Sequence, residues 1–240
     1  MERNAGIQLV RALSKCGYCS RSRARQLILC GRVHVNGKVQ RNPERTIFPG
    51  GDEIEVDGQR IRAAKKIYLM LNKPRGIITS ANDDKGRATV YSVLPDELPW
   101  IAPVGRLDKA SEGLLLLTND SEWAARIAAP DAHVDKTYHV QIAAVASQEL
   151  LERMMKGIRV KPGQALRVKR AAMVRAGVKN SWLEIVLDEG KNRQIRRIMN
   201  ALGIEVLRLI RIAIGPVQLG TLGKGKFREL SAAEVAELGG

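Results

Sequence analysis

One stretch constrains the fold more than any other: Gly105-Arg106-Leu107-Asp108-Lys109-Ala110-Ser111-Glu112-Gly113-Leu114-Leu115-Leu116-Leu117-Thr118-Asn119-Asp120. A charged loop feeds straight into a run of four leucines. The run falls far short of the ~18 consecutive apolar residues of a membrane span, so Leu114–Thr118 reads as a buried strand. Asp108 then stands at the edge of a core, with Arg106 and Lys109 beside it. Two descriptions fit such an aspartate: a nucleophile kept ionised by a neighbouring cation, or a turn cap ahead of a buried strand. Spacing alone does not choose between them.

The remaining elements show strands in the majority and no regular strand–helix alternation, which favours α+β over a doubly wound sheet. Residues 8–19 predict a helix. Ser20 is placed as the N-cap of a second helix, Arg21–Cys30, closed by Gly31. Cys30 follows Leu27-Ile28-Leu29 and is expected on the buried side of that helix. Val33–Val35, Asn36-Gly37 and Lys38-Val39 predict a hairpin with a type I′ turn, and Ile54–Val56 a further strand. Together these make a small unit over residues 7–58. Gln59–Lys66, polar and basic, reads as a linker, and residues 67–240 as a larger second domain.

In that second segment Tyr68–Leu71 predicts a strand, Asn72–Gly76 a turn and Ile77–Thr79 a returning strand. Pro95–Pro103 reads as irregular. Glu122–Ala129 predicts a helix ended by Pro130, and Lys136–Ala143 a strand. Gln148–Lys156 predicts another helix. Strands are expected over Ile158–Val160, Leu166–Val174 and Trp182–Leu187. Gln194–Leu202 is an amphipathic helix with Ile195, Ile198, Met199 and Leu202 on one face. Two strands and a helix over Ala232–Leu238 complete the chain.

Charge narrows the function. Forty Lys and Arg against 25 Asp and Glu leave +15 over 240 residues, a field that attracts polyanions. Residues 1–45 hold ten of the basic groups and only two acids, Glu2 and Glu44, so +8 of the +15 lies there. A basic face on a small folded unit suits phosphate contacts, and Arg11, Arg21, Arg25 and Lys38 are candidates for them. Arg21 and Arg25, four apart, share a helix face. Lys73, Arg106, Lys191, Arg193 and Arg197 extend the set of candidate RNA-binding residues. No strongly apolar helix face accompanies the charge, which argues against a membrane surface. The N-terminal residues show no secretory signal, and the default expectation is a cytoplasmic protein.

Several chemistries lack their residues. Cys16, Cys19 and Cys30 read as free thiols, and none of His34, His133 and His139 stands in a recognisable metal spacing. There is no zinc-deaminase pattern, no nucleophile elbow and no dinucleotide fingerprint after a strand. Gly220–Lys226 looks like a phosphate loop, but Phe227 stands where a Mg²⁺-binding hydroxyl is required. Two further segments carry charge or an aromatic. Glu189-Gly190-Lys191-Asn192-Arg193-Gln194-Ile195-Arg196-Arg197 puts four basic groups at a helix start, either an anion site or a solvated face. Lys136-Thr137-Tyr138-His139 puts a tyrosine on a strand.

Taken together, GRLDKASEGLLLLTND, then KTY, then EGKNRQIRRIMNALG, in that order and spacing, resemble the pseudouridine synthase family, in particular the bacterial ribosomal RNA branch called RsuA/RluB-type. YLMLNKPRGIITS resembles the opening of its catalytic domain. SRSRARQLILCGRVHVNGKV resembles the S-four RNA-binding domain that the branch carries. The likeness runs from about Leu9 to the last helix. Ser121 after Asn-Asp, and Ala110-Ser111 beside the loop, depart from commoner residues without removing a group the chemistry needs.

The resemblance implies an α+β chain: a small S-four-like domain, and a catalytic domain with a mixed, mainly antiparallel sheet flanked by helices. It implies isomerisation of uridine to pseudouridine in ribosomal RNA, without cofactor, metal or energy source, large-subunit RNA being slightly favoured. Asp108 would be the nucleophile, with attack on the base, attack on the sugar and a glycal route all open. Tyr138 would lie against the uracil, Arg196 would pair with Asp108, and Arg106 would fill the gap left by a flipped nucleotide. The alternatives are a non-catalytic RNA-binding or ribosome-assembly factor and an RNA base hydrolase. A monomer is expected, since no heptad or apolar stripe demands a partner.

Overall fold

The computed structural model describes residues 6–81, 85–129 and 132–239. The chain divides into two compact units. One comprises Met1–Tyr68 with Pro95–Ala102 and Leu117–Glu122; the other comprises Leu69–Leu94, Pro103–Leu116 and Trp123–Gly240.

In the first unit β1 (Ile7–Gln8) pairs antiparallel with β4 (Thr46–Ile47), and α1 (Leu9–Lys15) leads to α2 (Arg21–Leu29). The helix expected over 8–19 stops at Lys15 because Gly17, at φ +72°, turns the chain. The Tyr18 N–H reaches back to the Leu13 carbonyl (3.1 Å) and satisfies one of the helix-end acceptors. Ser20 caps α2 as expected, its Oγ accepting the Arg23 N–H at 3.2 Å. Cys30 is exposed rather than buried: the helix phase turns Ala24, Leu27 and Ile28 inward and leaves Leu29 and Cys30 outside. β2 (Val33–Val35) and β3 (Lys38–Gln40) form the hairpin, with Asn36 and Gly37 both at positive φ. β2 also pairs with β5 (Ile54–Val56). Asp57-Gly58, at φ +51° and +79°, then makes a second turn of the same kind into β6 (Gln59–Arg60). The first two residues of the expected linker are therefore a strand, and the Asp-Gly pair is the signal for it. Leu9, Leu13, Ile28, Val33, Val35, Ile47 and Val56 form the core.

The second unit is built on a nine-stranded sheet. Its strands are β7 (Tyr68–Lys73), β8 (Ala102–Val104), β9 (Glu112–Thr118), β10 (Lys136–Ile142), β13 (Arg170–Ala176), β14 (Ser181–Leu187), β15 (Val206–Ile214), β16 (Val217–Gln218) and β17 (Phe227–Glu229). The main order is β13-β14-β10-β15-β9-β7-β17, with β16 on β15 and β8 on β9. β15 and β9 run parallel, whereas β13/β14, β14/β10, β10/β15 and β7/β17 run antiparallel. This is the mixed, mainly antiparallel sheet expected. β11 (Ile158–Lys161) and β12 (Gln164–Leu166) pair separately.

Helices α3 (Ser121–Ala128), α4 (Gln148–Lys156), α5 (Gln194–Ala201) and α6 (Ala232–Gly239) accompany the sheet. Leu151 and Met154 of α4, and Ile195, Ile198 and Met199 of α5, pack on Val140, Ile142, Leu183 and Ile185. All seven residues of β9 are buried, and each leucine there contributes about 1.5–3 kcal/mol of burial. Three expectations change. Ile77–Thr79 forms only an isolated bridge, Ile78 to Thr89, since Thr79 turns to the Asp108 loop. Leu166–Val174 is broken in two where Leu166 and Val168 both turn into the core. Three strands, the long β15 and the short β16 and β17, rather than two, precede α6. Pro130, expected to end α3, lies outside the described residues.

Candidate active site

Residues 105–111 form a loop that enters β9, and three cations from three different elements hold the loop and the start of that strand. Lys73, at the end of β7, is fully buried. Its ammonium donates to the carbonyls of Pro74 (3.1 Å), Asp108 (3.2 Å) and Ser111 (2.8 Å). Arg196, on α5, donates from Nη2 to the Ala110 carbonyl at 3.1 Å. Arg211, on β15, donates from Nε to the Leu114 carbonyl at 2.7 Å. Thr79 completes the clamp, its hydroxyl donating to the Leu107 carbonyl (2.8 Å) while the Gly76 N–H donates to that of Lys109 (2.8 Å). Charge-assisted bonds of this kind are the strong ones.

Gly113 explains how β15 comes so close. It sits at φ +103°, and a Cβ there would lie 2.2 Å from the Arg211 carbonyl oxygen, so no other residue fits. Next to it, burial alone would raise the Glu112 carboxyl, but hydrogen bonds from Lys224 and Arg208 bring it below its ordinary value. Burial also pulls the Lys73 ammonium down to about 8, against the attraction of Asp108 and Glu112.

Asp108 itself is half-buried, and its Oδ2 meets Arg193 Nη1 at 3.3 Å. The sequence pairs Asp108 with Arg196; in the structure the guanidinium that reaches the carboxylate is that of Arg193. The physical reason is local. Arg193 is the N-cap of α5 and adopts a left-handed backbone, φ +50°. Such a conformation is costly for a residue other than glycine and clusters at functional sites. Burial, and Arg193 beside it, draw the Arg196 guanidinium below its ordinary value. Gln194 anchors the approach to α5, donating to the Arg167 carbonyl (2.8 Å) and to Glu189 (2.7 Å).

A cleft of about 590 Å³ opens over this loop, lined by Arg106, Asp108, Ser111, Lys136, Tyr138, Arg193, Arg196 and Arg211 among others. The volume suits a nucleotide-sized ligand. Tyr138 on β10 stands opposite Arg211 on β15 in the sheet register. Burial, then the nearby Arg211, lowers the Lys136 ammonium. Among the described residues, no cluster of three or more His, Cys, Asp or Glu could hold a metal ion.

The candidate residues thus fall into groups. Asp108, Tyr138, Arg196 and Arg106 meet at the cleft, joined by Arg193. Lys191 lines it too, paired with Glu189 at 2.8 Å. Arg197 points elsewhere, donating to Gln164. Lys73 is a correction: a fully buried ammonium spent on three carbonyls cannot contact an RNA backbone, and its work is to hold the loop. Arg11, Arg21, Arg25 and Lys38 are exposed on the first unit, Arg25 beside Glu44 at 2.6 Å. Sequence reasoning overlooked Arg211 and Ser111. Arg208 and Arg211, the two arginines in the otherwise apolar run of β15, were the available signal for the first.

Comparison with known proteins fits this arrangement. Residues 67–201 match the model of the RNA pseudouridylate synthase family, and residues 9–54 match the S4 domain. The chain is 41% identical over 233 residues to an uncharacterized RNA pseudouridine synthase of Aquifex aeolicus, covering 97% of this chain and 93% of that protein. It is 38% identical over 232 residues to the ribosomal large subunit pseudouridine synthase B of Bacillus subtilis, covering 96% and 95%. A solved pseudouridylate synthase superimposes with a TM-score of 0.67 at 30% identity, covering 97% of this chain and 99% of that one.

Proposed function

The chain belongs to the RNA pseudouridylate synthase family, and on that footing we propose that it converts uridine to pseudouridine in ribosomal RNA, with Asp108 as the nucleophile. One observation carries the reading: a carboxylate paired with a guanidinium, on a loop clamped by Lys73 and Arg196, faces a cleft that also holds Tyr138. The isomerisation breaks N1–C1′ and joins C5 to C1′; a proton leaves C5 and one is gained at N1. Arg193 pairs with the Asp108 carboxylate, and Arg196 fixes its loop through Ala110. Tyr138 lies against the uracil. The reaction is assigned no cofactor, as the resemblance to the family implies.

A uridine in folded RNA must leave its stack to enter the cleft, at a cost of a few kcal/mol. Arg106 on the rim is suited to the gap it leaves, and the basic first unit supplies phosphate contacts. We assign residues 7–60, which include β6, to an S4-like RNA-binding domain, 61–66 to a linker and 67–240 to catalysis. The Bacillus subtilis relative supports a large-subunit target. One chain holds Asp108, Tyr138, Arg193, Arg196 and Arg106 of the site, which supports a monomer as the acting unit, and a ribosomal RNA substrate goes with work in the cytoplasm. The test is carbodiimide primer extension on large-subunit RNA treated with the purified protein. New stops at uridines are expected with the wild type and none with Asp108→Asn; no new stop with the wild type would refute the reading.

A further inference from the structure

The clamp uses only part of its donors. Arg211 is 5% exposed, and its Nε is bonded to Leu114, but its Nη2 is buried with no partner among the described residues. Ser111 is 1% exposed; its N–H donates to the Asp108 carbonyl and its own carbonyl accepts from Lys73, yet its Oγ has no partner. Both residues line the cleft that holds Asp108 and Tyr138. A buried donor left unmade costs about 1–3 kcal/mol, and a site keeps such a cost where a ligand supplies the acceptor.

Depth identifies that acceptor. The backbone phosphates of a flipped nucleotide stay at the mouth, where the exposed Arg106, Lys191 and Arg193 wait. What reaches a guanidinium that is nineteen-twentieths buried, opposite Tyr138 on the neighbouring strand, is the base. A uracil offers two carbonyl oxygens as acceptors. They are also where charge collects in either chemistry: rupture of N1–C1′ sends the electron pair to N1 and on to O2 and O4, and addition to the ring builds an enolate. We infer that Arg211 Nη2 and Ser111 Oγ form the seat for a uracil carbonyl oxygen, holding the base while it carries negative charge. This rests on the function proposed above and adds to it two substrate-contacting groups. Preorganised donors of this kind act on the transition state more than on binding.

The experiment uses the full-length protein and large-subunit ribosomal RNA transcribed with uridine, 2-thiouridine or 4-thiouridine. Single-turnover formation of the C-linked isomer is followed by chromatography of the digested nucleosides. Arg211→Gln is expected to lower the rate on ordinary RNA about 100-fold, with RNA affinity within about twofold. Ser111→Ala, which removes no bond seen in the structure and so keeps the fold, is expected to cost about 3- to 10-fold. Sulfur is a weak acceptor, so one of the two thio-RNAs should slow the wild type and slow these variants no further. Thio and variant losses that multiply at both positions, a wild type indifferent to both substitutions, or an affinity loss as large as the rate loss would overturn the seat. Absence of any isomer with wild type on ordinary RNA would instead overturn the proposed function beneath it.

Discussion

The two basic regions of this chain use the same residue types for opposite ends. On the first unit Arg11, Arg21, Arg25 and Lys38 are exposed. Where such cations are paired, as in Arg25–Glu44, both partners remain about half exposed. Around Asp108, Lys73, Arg196 and Arg211 are partly or fully buried and each donates to a backbone carbonyl of residues 108–114. An exposed cation is screened and mobile; its contribution is attraction, summed over many sites. A buried cation bonded to carbonyls cannot move without breaking the loop it holds. On the proposed reading, charge in the first region sets RNA affinity, and charge in the second sets geometry.

The hardest way to break that contrast is at Lys73. Lys73→Met should reduce turnover by more than about 100-fold while leaving RNA affinity within about threefold, because three carbonyls lose a donor and a misplaced nucleophile is costly. Gel-shift titration alongside a turnover assay checks this; an affinity loss that matches the rate loss would put Lys73 back among the RNA contacts. The same residue gives a pH dependence. Three donors exist only on the protonated ammonium, whose value is drawn down to about 8. As pH rises through that value the folded protein loses the proton and with it one donor to the loop. kcat is therefore expected to fall on the alkaline side near pH 8, and a profile flat to pH 10 would contradict the clamp.

Arg193 and the first-unit arginines sharpen the contrast with smaller effects. Arg193→Ala should lower kcat about 10-fold at saturating RNA. The pair Arg21→Ala with Arg25→Ala should leave kcat unchanged. It should weaken binding several-fold and make the slope of log affinity against log salt shallower by about 1 to 2. Titrations at several salt concentrations read both.

The smallest effect lies away from either region. Glu234 accepts from Arg228 Nη2 (2.6 Å) and from the Ser231 N–H, while its own N–H donates to Ser231 Oγ, a capping box at the start of α6. The Arg228 bond leads in holding its carboxyl down to about 2, against an ordinary 4.5. A depressed carboxylate stabilises the fold above its unfolded value, and that contribution is lost as pH falls from about 4.5 to about 2. Glu234→Gln should lower Tm by a few degrees at pH 7. The gap should close over that acid window, as differential scanning calorimetry would show.

Much of the fold was legible because the signals were local. The Asn36-Gly37 turn, the Ser20 cap and the run Leu114–Leu117 each state their conformation within a few residues. Asp108 was legible as a candidate for the same reason, and the likeness of its loop to a known one supplied the role proposed for it. What stayed hidden depended on tertiary contact. The basic run 191–197 does not reveal which arginine meets Asp108, because the left-handed backbone at Arg193 sets that. Lys73 reads as a turn residue until β7 is seen to carry it under the loop. Arg211 becomes meaningful only against Gly113 on the neighbouring strand, 98 positions earlier in the chain. Cys30 misled because an apolar run of three does not fix helix phase.

On the proposed reading, the geometry at the clamped loop serves one carboxylate, Asp108. Purified wild-type protein and Asp108→Asn, mixed with ribosomal RNA tritiated at uridine C5, test it directly. Proton exchange at C5 should release tritium with the wild type. The variant should release none above background while binding the same RNA with unchanged affinity. Tritium release by Asp108→Asn at a rate comparable to the wild type would contradict the account.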